Sequence, residues 1–152
     1  MIIHLIVTNI WNRSAQYLIF GIILTNIRNI MSENSFATSL SCIDGRVQLP
    51  MINWIKGKYS VDFVDTITAP GIDKVIFDGD TEFIKKSVMI SISNHKSSYI
   101  VISGHSGCAG NPVSEEEHFI HIKKSVDIVN SWNLDADVVG VWIDENFVPH
   151  LI

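Results

Sequence analysis

Long hydrophobic runs are missing from this chain of 152 residues. The longest apolar stretch, Tyr17 to Leu24, falls far short of the roughly 20 residues that span a bilayer, so no membrane-spanning helix is expected. Positive charge is also scarce: 11 Lys and Arg stand against 16 Asp and Glu. No basic run is interleaved with aromatics, which argues against a nucleic-acid partner. Cysteine is limited to Cys42 and Cys108. Two thiols beside His, Asp and Arg suit a metal in a reducing, cytoplasmic compartment better than a disulfide framework.

Acidic residues are absent from the first 30 positions, which hold nine Ile, four Asn and only Arg13 and Arg28 as formal charges. All 16 acids lie from Glu33 onward, against nine basic residues there. The start Met1-Ile2-Ile3-His4 lacks the basic opening and small-residue cleavage site of a secretory signal. Residues 1–30 therefore read as a dispensable apolar leader, with an interfacial anchor as the alternative, and the functional domain reads as residues 31–152. That length and a 47% apolar content suffice for one domain with a real core.

What is present alternates between two periodicities. Phe36 to Ile43 is small and β-prone and ends at Asp44-Gly45, which predicts a strand and a turn. Pro50 suits the first turn of a short helix that carries Met51, Ile52, Trp54 and Ile55 and stops near Gly57. Val61 to Ile67 predicts a second strand, broken at Ala69-Pro70-Gly71 and followed by a loop to about Asp80. Ile84, Val88 and Ile92 recur every four residues on a helix from Thr81 to about Asn94. Ser98 to Ser103 holds the apolar run Tyr99-Ile100-Val101-Ile102, as in a strand buried on both faces. The glycine-rich segment Gly104 to Pro112 is irregular. Ser114 and Glu117 then form a capping box for a helix ending near Trp132, and Glu115-Glu116-Glu117 suits its positive dipole end. Val138 to Ile143 and Phe147 to Ile152 give a fourth strand and a short fifth. The expected fold class is α/β: a mainly parallel sheet with flanking helices, right-handed crossovers and a short antiparallel fifth edge strand. Trp54, Trp132 and Trp142 read as core or interface residues.

Cys42 falls at the carboxyl end of the first strand, and His105 and Cys108 lie just beyond that of the third. A sheet ordered 2-1-3-4 would bring all three to one switch point. Two thiolates and one imidazole match the Cys₂His set of catalytic zinc, which keeps a fourth position for water or substrate. Glycines at 104, 107 and 110 let the loop fold tightly enough for His105 and Cys108 to reach one ion. Cys42, Asp44 and Arg46 alternate, so Asp44 either binds the ion or pairs with the planar fork of Arg46. The bland alternative is that each cysteine is a small buried hydrophobe.

Cys42-Ile43-Asp44-Gly45-Arg46 and Gly104-His105-Ser106-Gly107-Cys108 resemble the C-x-D-x-R and G-H-x-x-C motifs of β-class carbonic anhydrases. The resemblance runs from about Phe36 to the end and is greatest to the short carbonic-anhydrase-like proteins, which share Cys108-Ala109-Gly110-Asn111-Pro112 before an acidic helix. It implies a 2-1-3-4 sheet, Zn²⁺ on Cys42, His105 and Cys108, an Asp44–Arg46 catalytic dyad, and a homodimer. Thr68-Ala69-Pro70-Gly71 departs from the family's Arg-Asn-Ala-Gly, and Ala109 stands where glycine is usual.

The activity implied is reversible hydration of carbon dioxide to bicarbonate by zinc-bound hydroxide. His95, His118 and His121 are candidate proton relays. CS₂ or COS is an alternative substrate for the same site. A non-catalytic zinc module with Asp44 as fourth ligand is an alternative of another class, and an anion-binding loop at Gly104, Gly107 and Gly110 is a weaker one.

Overall fold

The first strand, β1 (Phe36–Cys42), has six of its seven residues buried, and its small side chains make that possible. Ala37, Ser39 and Ser41 alternate with Thr38 and Leu40, so layers pack closely on both of its faces. The computed structural model describes residues 34–152, and the expected leader at residues 1–30 lies outside the described residues. β2 (Phe63–Ala69) and β3 (Tyr99–His105) flank β1, β4 (Asp137–Ile143) pairs with β3, and β5 (Pro149–Leu151) closes the edge. The order is β2-β1-β3-β4-β5, parallel except for the antiparallel β4–β5 pair. This is the sheet expected from the sequence.

Among the described residues four helices cover it: α1 (Gly45–Tyr59), α2 (Ile72–Phe77), α3 (Glu82–His95) and α4 (Glu115–Asn130). Val47, Met51 and Ile55 recur every four residues and bury α1 against the face that carries Ala37, Val101 and Val141. The opposite core joins Leu40, Ile100 and Ile102 to Ile72 and Ile76 of α2, Ile84 and Val88 of α3, and Val129 of α4. Neighbouring residues of β3 thus feed opposite cores, which is why its apolar run is unbroken. Trp142 is buried, while Trp54 and Trp132 pack on the two cores. Among the described residues no helix is long and apolar enough to cross a membrane.

Several boundaries differ from the sequence reading. α1 starts at Gly45, not Pro50, because Asp44 caps it by accepting from the Arg46 N–H; Pro50 lies inside the helix, where it removes one backbone donor. The segment read as a loop up to Asp80 contains α2, whose Ile72 and Ile76 share one face. β3 runs on to His105, so this residue ends the strand and does not belong to the loop. β2 starts at Phe63, and β5 contracts to Pro149–Leu151.

Leu40 is fully buried in β1, between β2 and β3. Leu40→Ala is expected to lower unfolding stability by about 3 kcal/mol, measured by urea denaturation.

Candidate metal centre

From β1 the chain first builds outward to β2, then returns to place β3 on the other side. Such a reversal opens a crevice at the carboxyl ends of the two neighbouring strands. Cys42 is the last residue of β1 and His105 the last of β3; Cys108 follows three residues later. One potential ligand atom from each of the three lies within 4.8 Å of the others, and all three residues are buried. Among the described residues this is the only group of three or more His, Cys, Asp or Glu placed to hold a metal ion.

The sulfurs of Cys42 and Cys108 stand 3.8 Å apart. A disulfide needs about 2.05 Å, whereas two thiolates held tetrahedrally at about 2.3 Å from zinc would stand roughly 3.8 Å from each other. His105 Nδ1–H donates to the Ser106 carbonyl at 2.9 Å, which fixes the tautomer and leaves the Nε2 lone pair free. That Nε2 is buried with no hydrogen-bond partner, a costly arrangement for a polar atom unless a ligand takes the lone pair. The donor set and its geometry fit a zinc ion. The Gly71 N–H donates to the Cys42 sulfur at 3.4 Å, and Gln48 Nε2 donates to the Cys42 carbonyl, so the thiol and its backbone are each held in place.

Asp44 does not join the group. Its Oδ1 accepts from the Arg46 backbone N–H and Nε–H, both at 3.0 Å, and its Oδ2 accepts from Nη2 at 2.6 Å. The alternation foreseen for Cys42, Asp44 and Arg46 gives way here to a helix start: Arg46 folds back from the first turn of α1 onto the residue that caps it. The Arg46 side-chain hydrogen bond, then its backbone N–H, hold the Asp44 carboxyl far below the usual carboxylate range, while partial burial opposes this. The same contact pushes the Arg46 guanidinium up.

Two loops carry the cysteine environment, and they meet at glycines. A β-carbon on Gly110 would lie 2.5 Å from the Gly71 nitrogen and from the Pro70 carbonyl carbon, and one on Gly71 would lie 2.6 Å from the Gly110 carbonyl carbon. Gly71 also has φ of +57°, a conformation suited to glycine. The sequence showed Pro70-Gly71 only as a strand breaker, and its closeness to Gly110 has no local signal. Behind this contact lies a buried polar cluster. Asp73 Oδ2 accepts from His118 Nδ1–H at 2.5 Å and from Asn111 Nδ2 at 2.8 Å, and Asn111 Nδ2 also donates to His121 Nδ1 at 3.0 Å. His118 and His121, candidate relays in the sequence, are therefore buried, internally hydrogen-bonded groups. His95 stacks on Phe36 and pairs with Asp65. It thus sits at the far end of β1, about 20 Å of strand from Cys42, too far to relay a proton.

The family model described as "Putative carbonic anhydrase" matches residues 32–152. Among solved structures, the chain is similar to β-carbonic anhydrase isoform I of Trichomonas vaginalis, with a TM-score of 0.53 and 16% identity over 90% of this chain and 96% of that one. It is also similar to the β-carbonic anhydrase CcaA, with a TM-score of 0.52 and 11% identity over 90% of this chain and 94% of that one. At such identities the likeness is one of fold. A search of curated proteins finds no match.

Two outcomes follow from this geometry. Gly110→Ala puts a methyl group against backbone that has no rotamer to yield, so a loss of about 1–3 kcal/mol together with weaker metal retention is expected, read by thermal melting and zinc content. Asp44 has a depressed folded-state pKa, so its contribution to stability is present above the unfolded value of about 3.9 and is lost as pH falls through the folded value. Its carboxyl carbon, followed by NMR on metal-free protein, should not titrate between about pH 3 and 6 in the wild type, and should titrate there in Arg46→Ala.

Proposed function

Because the chain belongs to that carbonic anhydrase family, whose model spans residues 32–152, we propose that it catalyses reversible hydration of carbon dioxide to bicarbonate on a zinc ion held by Cys42, His105 and Cys108. The observation that carries this reading is the division of labour between neighbouring groups. Three soft donors converge, while the carboxylate two residues beyond Cys42, that of Asp44, is turned to Arg46. Structural zinc sites use four protein ligands, and catalytic ones use three. Zinc in such a site supplies Lewis acidity enough to make water nucleophilic near neutral pH.

The protein's own residues do the rest. The two cysteines bind as thiolates, and His105 binds through Nε2 because its Nδ1–H is committed to Ser106. Arg46 keeps Asp44 from serving as a fourth ligand, which counts against a non-catalytic zinc module. Its three donor hydrogens occupy a carboxylate that accepts about four. Asp44 thus retains one acceptor site with which to orient a water molecule, and its low pKa keeps it an acceptor rather than a donor at neutral pH. A homodimer and a cytoplasmic location belong to the same proposal, resting on the motif resemblance and on the two free thiols.

Zinc content and hydration rate, measured together on wild type, Cys108→Ala and Arg46→Ala, test the reading. The wild type and Arg46→Ala should each carry about one equivalent of zinc, and Cys108→Ala should lose it. Turnover should be confined to the wild type. A zinc-free wild type, or full activity in Arg46→Ala, would overturn the mechanism. Parallel assays with CS₂ and COS assign the substrate.

A further inference from the structure

The Arg46 side chain is more than half exposed, so an ion pair alone would hold it weakly: exposed pairs contribute little and long side chains resist ordering. A second contact lies on its other side. The guanidinium carbon stands 5.6 Å from the centroid of the Phe147 ring, within the range of a cation–π interaction. Phe147 sits in the turn between β4 and β5 and packs on the core cluster that includes Cys42 and Cys108. It is therefore anchored at its base and faces Arg46 with its ring.

The backbone that presents this ring is unusual. Phe147 has φ of +61°, and a bulky side chain in that region is a genuine outlier. Such strain persists only where the surroundings impose it, and here they do. The Phe147 N–H donates to the Asp144 carbonyl at 3.0 Å. Asp144 Oδ1 accepts from the backbone N–H groups of Asn146 and Val148, both at 2.9 Å, and Oδ2 pairs with His150 Nε2 at 2.9 Å. These donors hold the Asp144 carboxyl below the usual carboxylate range, so the turn keeps its central acceptor. A glycine or asparagine would fit the turn without cost. The phenyl group therefore has a use that the turn alone does not explain.

We propose that Phe147 is a positioning residue that clamps Arg46 against Asp44, acting on the metal site only through that pair. Its consequence for catalysis rests on the zinc reading above; the clamp itself does not. With a metal ion on Cys42, His105 and Cys108, Asp44 would be drawn both to the ion and to the guanidinium, and whatever fixes the guanidinium would keep the carboxylate from becoming a ligand.

The Arg46 Nε–H resonance of the purified protein reports the clamp directly. Phe147→Asn keeps the left-handed turn and removes the ring, Phe147→Leu keeps apolar bulk without a π face, and Phe147→Trp restores the face. Hydrogen exchange at Arg46 Nε should be about threefold faster in the Asn and Leu variants, the factor that an exposed cation–π contact supports, and should return to the wild-type rate in the Trp variant. In cobalt-loaded protein, azide affinity followed by the visible spectrum should fall by a similar factor in the Asn and Leu variants, because Asp44 then competes for the metal. Unchanged Nε–H exchange in folded Asn and Leu variants overturns the clamp. If neither variant folds, the ring serves packing alone and the proposal falls. A wild type that takes up no cobalt removes the zinc reading, while the exchange rates still decide the role of Phe147.

Discussion

Two loops touch backbone to backbone at Gly71 and Gly110, with no room between them for one β-carbon. The loop after β2 reaches the Cys42 sulfur through the Gly71 N–H, and the loop after β3 carries Cys108. A larger residue at either glycine would separate the loops by more than the few tenths of an ångström that a close-packed interior absorbs. The 3.8 Å between the sulfurs depends on this contact. Parallel strands supply the approximate convergence, and glycine supplies the last ångström.

The second constraint is electrostatic. Asp44 caps α1, where the exposed N–H groups and the helix dipole favour a negative charge, and it also takes the fork of Arg46. One residue thus starts a helix and stands two positions beyond Cys42, a member of the group that could hold a metal ion. Because the helix starts immediately after β1, the chain cannot carry Asp44 far from Cys42, and a free carboxylate at that distance would compete for any cation there. Its engagement by Arg46 is what makes a three-donor site compatible with the cap. Local structure and chemistry are satisfied by the same hydrogen bonds.

Much of this was legible in the sequence. The strand order could be expected because strand and helix periods alternate and because the motifs at Cys42 and at His105–Cys108 need a common switch point. The convergence of Cys42, His105 and Cys108 was legible because thiols and an imidazole at two strand ends form a chemistry-specific pattern. What could not be read has physical causes. Six residues of α2 are too few for a helical period to register, and Pro50 drew the start of α1 away from its real cap, since proline is ordinarily a first-turn residue. Nothing around Phe147 signals a positive φ, because the turn is imposed by Asp144 and not by its own composition. Nothing at the acidic start of the helix marks His118 and His121 as buried, because Asp73, the acceptor that organises the cluster, lies 45 residues from His118 in the chain.

That buried cluster shows why a glycine-rich loop can still be rigid. The loop bearing Cys108 has few side chains to bury, so apolar packing cannot fix it. Asn111 does so with an amide, and the proton count leaves it one orientation. His118 Nδ1 donates to Asp73, so its 3.3 Å approach to Asn111 Nδ2 sets two donors side by side and is no hydrogen bond. The amide hydrogens go instead to Asp73 Oδ2 and His121 Nδ1. Turning the amide over would set its oxygen against the Asp73 carboxylate, which is why Oδ1 is left without a partner. Such a half-satisfied amide is costly in a core. Its position explains why it is kept: Asn111 ties the Cys108 loop to α2 through Asp73 and to α4 through His121, and Gly104, just before His105, packs so closely that a β-carbon there would lie 3.0 Å from Asp73 Oδ2 and from His118 Nδ1. His105 on β3 and Cys108 on its loop are thereby fixed to the same helices that pack the sheet.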